Sequence, residues 1–172
     1  MAGRGQQISD EAAPRRGAKG ARILIIEARY YETISDALVA GAKAELEAAG
    51  ATSEHMIVPG ALEIPLALAQ AVKAGLIPGD ARQARFDGCV ALGCVIRGDT
   101  SHYDTVCNNA NHWLMDIATR HAIPLGNAIL TVETEAQALE RARGGRDGKG
   151  ADAVRACLAL IEHARAFAKE SA

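Results

Sequence analysis

The segment Arg97–Asp104 concentrates residue types that do chemistry in this 172-residue chain. It packs a cation, a glycine, two aliphatic hydroxyls, two carboxylates and a histidine into consecutive positions. His102 is the best candidate for proton transfer, because an unperturbed imidazole titrates at a pH of about 6.5. Gly98–Ser101 offers successive backbone N–H groups and two hydroxyls before a predicted helix, which suits a phosphate. The alternatives are a histidine that caps the next helix and an ordinary capping turn.

Three further groups could complete a site around that segment. Tyr30 and Tyr31 are two of only three tyrosines, and an aromatic ring at the end of a buried strand can stack on a planar ligand. The turn Gly60–Glu63 is expected to leave backbone N–H groups free for a ligand. Arg141 and Arg143 precede a glycine-rich loop and could clamp a phosphate. The alternatives are rim residues over the core and solvated surface charge.

Metal and nucleophile chemistries fit the sequence poorly. His102, Cys107 and His112 recur in steps of five, which does not place metal ligands on one helix face. Nothing near Cys107 indicates an activated thiolate. The glycine-rich loop Gly144–Gly150 follows a predicted helix rather than a strand and lacks the Walker pattern.

The elements that must position these residues alternate between strand and helix. Apolar runs typical of strands buried in a parallel sheet occur at Arg22–Ala28, Gly88–Ile96 and Leu125–Val132, and Ser53–Val58 reads as a weaker strand. Apolar residues at helical spacing predict helices at 33–49, 61–74, 103–122, 134–143 and 151–169. Thr33 and Asp36 resemble a capping box for the first helix, and Pro65 moves the start of the second to Glu63 or Ile64.

This alternation predicts an α/β fold, a three-layer αβα sandwich around a four-stranded parallel sheet. Ligands bind past the carboxyl ends of such strands. We therefore expect four polar segments to converge at one sheet edge: Arg29–Glu32, Pro59–Glu63, Arg97–Asp104 and Thr131–Glu135.

Composition limits the class of protein. Residues 1–20 hold few large apolar side chains, which predicts a flexible N-terminal arm before a single domain at 21–172. The net charge of −2 favours neither nucleic acid nor an anionic membrane as a partner. Four cysteines without a C-x-x-C pair indicate reduced thiols in a cytoplasmic protein. No apolar run is long enough to cross a bilayer, and the amino terminus lacks a signal-peptide core.

Six segments in order resemble the 6,7-dimethyl-8-ribityllumazine synthase family of riboflavin biosynthesis over about residues 21–168. They are Glu27–Tyr31 (EARYY), Val58–Pro65 (VPGALEIP), Ala91–Asp104 (ALGCVIRGDTSHYD), Ile129–Thr131 (ILT), Glu135–Arg141 (EAQALER) and Lys149–Gly150 (KG). The second and third segments are highly specific together. The resemblance implies a flavodoxin-like version of the sandwich.

The resemblance also implies a reaction. The 5-amino group of 5-amino-6-(D-ribitylamino)uracil attacks the carbonyl of 3,4-dihydroxy-2-butanone 4-phosphate, an imine forms, phosphate is eliminated, and the ring closes with loss of water. Neither a metal nor an organic cofactor is required. A flavodoxin-like electron carrier is disfavoured, because Arg29–Glu32 is not a hydroxyl-rich phosphate loop. A non-catalytic flavin-binding or shell-forming relative is the other alternative.

By resemblance, each candidate residue receives a role. His102 transfers protons, Tyr30 stacks on the pyrimidine, and Asp99 and Thr100 form the phosphate turn with Arg141 as its cation. Two triplets line the ribityl and pyrimidine side: Ala61, Leu62 and Glu63, and Cys94, Val95 and Ile96. Asn127 is expected where a neighbouring subunit closes the pocket, and Lys149 faces the anionic pyrimidine. At the phosphate turn, we expect the Asp99 side chain to point outward and its backbone N–H to bind.

The resemblance implies a pentamer-based homo-oligomer with active sites at subunit interfaces, and it raises riboflavin synthase as a partner. Some members of the family assemble twelve pentamers into a shell. The loop 143–149 carries no insertion relative to shell-forming relatives but lacks their usual sequence. A pentamer or two stacked pentamers is the favoured prediction.

Overall fold

A computed structural model describes residues 18–78 and 84–171 of the chain. The strands are β1 (Arg22–Ala28), β2 (Thr52–Val58), β3 (Gly88–Ile96) and β4 (Leu125–Val132). The α-helices are α1 (Glu32–Ala48), α2 (Glu63–Lys73), α3 (His102–Arg120), α4 (Glu135–Ala142) and α5 (Lys149–Glu170), with a 3₁₀ turn at Gly145–Asp147. Of the predicted arm, only residues 18–20 are described. Ala18 is buried, and the Gly20 N–H donates to the Gly50 carbonyl (3.0 Å).

The four strands form one parallel sheet in the order β2-β1-β3-β4. Its two faces carry separate hydrophobic clusters, one with α1 and α5 and the other with α2 and α3. Cys94 belongs to the first cluster and Cys89 to the second, as expected for strand residues an odd number apart. The predicted αβα sandwich is confirmed. Because all strands run in one direction, the turns after β1, β2, β3 and β4 lie at the same edge.

Glycines allow α5 to approach the sheet and α1 closely. A Cβ at Gly126 of β4 would lie 1.9 Å from the Ala153 carbonyl oxygen of α5. A Cβ at Gly150 would lie 2.1 Å from the Leu38 carbonyl oxygen of α1. Larger residues at either position would force these layers apart.

The helix ends agree with expectation at some sites and differ at others. Gln137 N–H donates to Thr134 Oγ1 (3.3 Å), so Thr134 caps α4, and the helix follows the predicted start at residue 134. The predicted Thr33 cap of α1 is wrong. The helix begins at Glu32, so Tyr31 is its N-cap residue, and the Tyr31 side chain makes no capping hydrogen bond. Phe167, near the end of α5, is 65% exposed. No described helix combines the length and apolarity that a membrane span requires.

Candidate active site

A cavity of about 330 Å³ opens at the carboxyl edge of the sheet, where the turns after β1, β2 and β3 meet. Its lining includes nine of the thirteen predicted site residues: Tyr30, Ala61, Leu62, Glu63, Cys94, Val95, Ile96, Thr100 and His102. Tyr31, Gly60, Gly98, Tyr103 and Val106 line it as well. This volume suits a small-molecule site.

The β3–α3 turn supplies the polar end of the cavity. Thr100 Oγ1 accepts a hydrogen bond from the His102 backbone N–H (3.4 Å), so the turn folds back onto the start of α3. The N-cap residue Ser101 makes no side-chain capping bond among the described residues. The first turn of α3 therefore presents its dipole and His102 toward the cavity, an arrangement suited to an anion beside a proton donor.

Arg97 ties this turn to its surroundings. Its Nε lies 2.8 Å from a Glu133 carboxylate oxygen, its Nη2 lies 3.3 Å from Asp104 Oδ1, and its guanidinium carbon lies 4.0 Å from the centre of the Tyr103 ring. Hydrogen bonds to Glu133 and then Asp104 raise the pKa of Arg97 above its ordinary value. The Arg97 guanidinium is therefore held by two carboxylates and lies against the face of the Tyr103 ring, which lines the cavity.

The turns after β1 and β2 supply the flatter, less polar wall. The Tyr30 ring is 70% exposed and meets the Tyr31 ring edge-on, with 4.9 Å between centroids. Ala61, Leu62 and Glu63 lie opposite at the start of α2. The expectation of free N–H groups at Gly60–Glu63 is wrong for Glu63, because its N–H donates to the Gly60 carbonyl (3.2 Å).

Burial keeps one thiol and two phenols of the cavity neutral, those of Cys94, Tyr31 and Tyr103. Desolvation, with a smaller effect of the Cys107 charge, raises the pKa of Cys94 to about 11. Desolvation likewise raises the pKa of Tyr31 and of Tyr103. These groups can pack and donate hydrogen bonds, but they are not anionic nucleophiles at neutral pH. No group of three or more His, Cys, Asp or Glu side chains in the described ranges could hold a metal ion.

Four predicted site residues are not among the described residues that line this cavity. Asp99 is exposed in the β3–α3 turn. Asn127 faces α3, where its Nδ2 donates to Asn111 Oδ1 (2.8 Å). Arg141 Nη1 donates to the Gln137 carbonyl of its own helix (3.2 Å), and Lys149 Nζ lies 2.7 Å from Asp152 Oδ2. All four are exposed on the surface of the single chain.

Two lining residues to which the sequence assigned no role could have been found from helical spacing. Tyr103 and Val106 are three residues apart in α3, and Val106 is four residues beyond His102, so all three lie near one face of its first turns. Val106 packs partly buried against the core and also lines the cavity.

Comparison with known proteins is consistent with this site. A family model described as 6,7-dimethyl-8-ribityllumazine synthase matches residues 20–165. A protein of that name from Azorhizobium caulinodans is 54% identical over 142 residues, covering 83% of this chain and 85% of the relative. Another from Methylocella silvestris is 52% identical, covering 87% of this chain and 93% of the relative. A third, from Methylorubrum populi, is 47% identical, covering 96% and 98% respectively.

Proposed function

The chain belongs to the 6,7-dimethyl-8-ribityllumazine synthase family of enzymes, and we propose that it condenses 5-amino-6-(D-ribitylamino)uracil with 3,4-dihydroxy-2-butanone 4-phosphate. The products are 6,7-dimethyl-8-ribityllumazine, phosphate and two molecules of water. One observation carries the proposal: a single cavity brings together an exposed aromatic ring, Tyr30, and an anion-suited turn with a histidine, His102. A bicyclic product built from a planar pyrimidine and a phosphorylated ketone needs both.

The pyrimidine and ribityl chain occupy the wall formed by the turns after β1 and β2. Tyr30 stacks on the pyrimidine ring, and the ribityl hydroxyls meet Glu63 and the neighbouring backbone. Cys94, Val95 and Ile96 lie at the end of β3 and present backbone groups to the same substrate. Support comes from their shared position in the cavity lining and from the general preference of planar ligands for aromatic faces.

The phosphorylated ketone occupies the other end. Its phosphate is bound by the Gly98–Ser101 turn and the start of α3, where Thr100 lines the cavity. Asp99 contributes its backbone N–H while its exposed carboxylate stays in solvent. His102 lies one residue into α3, beside the phosphate and within the same lining.

The residues of this chain move protons and hold geometry, while the substrates supply the reactive groups. Placing the amine against the ketone carbonyl removes much of the entropic cost of the bimolecular step. His102 transfers protons as water leaves to form the imine and as the adjacent carbon loses its proton during phosphate elimination. Ring closure then releases the second water. The proposed reaction uses neither a metal ion nor an organic cofactor.

We propose that a second copy of the chain completes each pocket. Arg141, Lys149 and Asn127 are exposed and lie outside the lining of their own chain's cavity, so a neighbouring subunit would supply them to phosphate and pyrimidine. Large apolar side chains at least 41% exposed, including Met56, Ile57 and Trp113, give this assembly contact area. A pentamer or two stacked pentamers in the cytoplasm, delivering product to riboflavin synthase, is the proposed assembly.

The reaction is tested by mixing the purified protein with the two substrates. We expect fluorescent lumazine and inorganic phosphate to accumulate in equal amounts. Binding of lumazine or riboflavin without any turnover would instead identify a binding or shell-forming relative. Phosphate release without lumazine would exclude the condensation.

Subunit sharing has a separate test. The variants His102→Ala and Arg141→Ala are each assayed alone and after co-expression. If a neighbour supplies Arg141, mixed assemblies contain pockets with both intact residues, and roughly a quarter of wild-type activity returns when subunits mix at random. If Arg141 serves the pocket of its own chain, mixing restores nothing. Light scattering on the same samples gives the number of subunits.

A further inference from the structure

Glu27 is the one buried charged residue of β1, since the strand's other charged residue, Arg22, lies at its exposed start. Glu27 lies one residue before the end of the strand and is 0% exposed. Arg29 Nη1 lies 2.9 Å from Glu27 Oε1, and His55 Nε2 of β2 lies 2.6 Å from Glu27 Oε2, a contact that does not meet hydrogen-bond geometry. Burying a carboxylate is costly unless it is paired, whereas an isoleucine would pack there freely. A buried Glu27 carboxylate is thus a poor choice for stability alone, which indicates that it has another role.

Arg29 connects this buried carboxylate to the next helix. The same Nη1 atom lies 2.8 Å from Asp36 Oδ1 in α1. Hydrogen bonds to Asp36 and then Glu27 raise the pKa of Arg29 above its ordinary value. Its backbone N–H donates to the Val58 carbonyl at the end of β2 (3.1 Å). We call Glu27, Arg29 and Asp36 the Arg29 clamp, because together they span the turn between β1 and α1.

Tyr30 is the residue that this clamp encloses. It follows Arg29 directly, lines the cavity and is 70% exposed, with the edge of Tyr31 as its one described ring contact. The N-cap residue of α1, Tyr31, makes no side-chain capping bond. The Ser35 hydroxyl donates to the Ala28 carbonyl (3.4 Å) and the Ser35 N–H to the Tyr31 carbonyl (2.9 Å), which hold the two ends of the turn. Between them, the clamp supplies the side-chain contacts that hold Arg29, the residue next to Tyr30.

We propose that Glu27 and Arg29 are positioning residues that hold Tyr30 at the height and angle needed to stack on a planar heterocycle. The inference rests on the proposed function, in which that heterocycle is the pyrimidine substrate. The clamp touches no substrate itself. It acts through Tyr30, so its loss weakens binding of the pyrimidine and leaves binding of the phosphorylated ketone unchanged.

The test is a double-mutant cycle on steady-state kinetics, with each substrate varied in turn. Arg29→Ala is expected to raise the KM for the pyrimidine about two- to tenfold, the range that an aromatic stacking contact contributes, with the KM for the ketone phosphate unchanged. In a Tyr30→Ala background, Arg29→Ala should have no further effect on either KM, because the group through which it acts is gone. Arg22→Ala is the matched control.

Arg22 suits that purpose because it lies on the same strand at the opposite end and pairs with Asp87 (3.4 Å). Its loss should change neither KM. The proposal is overturned if Arg29→Ala raises both KM values equally, lowers kcat alone, or adds its full effect to that of Tyr30→Ala. Each of these outcomes assigns the clamp to general stability or to another part of the site.

Asp36→Asn keeps the inference testable if Arg29→Ala does not fold, because the Asp36 side chain is 65% exposed and the Glu27–Arg29 pair remains. We expect a smaller rise in the same KM, again absent in the Tyr30→Ala background. An unchanged KM in Asp36→Asn and in Glu27→Gln, with lumazine still formed, would refute the clamp. If the wild-type protein forms no lumazine, the proposed function fails, and binding of the pyrimidine alone to the same variants tests the clamp.

Discussion

Two turns reach the same cavity, but only one of them is anchored to a buried charge. Arg29 holds the β1–α1 turn through Glu27, whose side chain is fully buried, as well as through Asp36, whose side chain is 65% exposed. The β3–α3 turn is fixed through Arg97 to Asp104 and Glu133, whose side chains are 56% and 57% exposed. Buried pairs are little affected by solvent ions, whereas exposed pairs are weak and screened by salt.

Under the proposed function, this difference corresponds to what each turn would bind. A stacking surface must keep one orientation, which a buried anchor provides. A phosphate turn must accept an ion of double negative charge and release it as a product, which requires backbone and side chains that can adjust. The chain thus combines a fixed aromatic wall with an adjustable anionic end. The predictions below test that division, beginning with the largest expected effect.

Arg141→Ala should cause the greatest loss of activity. If a neighbouring subunit's Arg141 binds the phosphate, its removal leaves the adjustable end without its strongest cation, and kcat/KM for the ketone phosphate should fall about 10³-fold. Steady-state rates with that substrate varied measure the loss. Arg143→Ala, two positions along and paired with Glu140, is the control and should retain most activity. Equal losses in the two variants would indicate a diffuse charge effect rather than a phosphate contact.

His102→Ala should have the next largest effect. Positioned acid–base groups contribute about 10²–10⁴-fold, and we expect the low end, about 10²-fold in kcat, because the substrates carry their own reactive groups. KM values should change little. His112→Ala, on the same helix with its ring against Trp113, should behave as wild type. Full activity in His102→Ala would remove the proton-transfer role.

Arg97→Ala tests the exposed anchor directly. Loss of an exposed ion-pair network should raise the KM for the ketone phosphate at most about fivefold, and the difference from wild type should shrink as salt screens the wild-type contacts. Arg120→Ala removes a pair with Asp116 at the far end of α3, in which the Arg120 side chain is 70% exposed, and should change nothing. A rise in this KM of more than about 100-fold that does not depend on salt concentration would mean that Arg97 contacts the phosphate itself.

The sequence predicted the strands of this fold more accurately than the contacts between them. β3 and β4 have their predicted bounds, because strands buried on both faces are continuous apolar runs in a chain. The Glu27–His55 contact joins residues 28 positions apart and depends on the strand register, in which Ile25 pairs with His55, so local patterns could not show it. Local sequence also misplaced the start of α1. Thr33 has the right residue type for a cap, but the helix begins one residue before it.

For the candidate site, residues predicted at the strand ends are the ones that line the cavity. Tyr30, Glu63 and His102 meet in one cavity because parallel strands end at one edge, which follows from topology alone. Lys149 came from family resemblance alone, whereas Arg141 was also a candidate from its place before the glycine-rich loop, and both lie outside the described lining of the cavity. The sequence also did not show where α5 stops packing on the core. Periodicity identifies an apolar helix face but not where the core beneath that face ends, and Phe167 lies beyond that end.

The smallest expected effect concerns Cys94, which lies between the two turns. Burial raises its pKa to about 11, so at pH 8 roughly a thousandth of this thiol is ionised, against about a quarter of a free thiol. Alkylation of Cys94 in the folded protein should therefore be slow at pH 8 and should accelerate about tenfold per pH unit up to pH 11. Unfolded protein, read by mass spectrometry of the same peptide, should react at once.

Cys94→Ala should retain most activity, because the neutral thiol fills space at the fixed wall and takes no part in proton transfer. Rapid alkylation at pH 8 that abolishes activity and is prevented by the ketone phosphate alone would place Cys94 at the adjustable end instead.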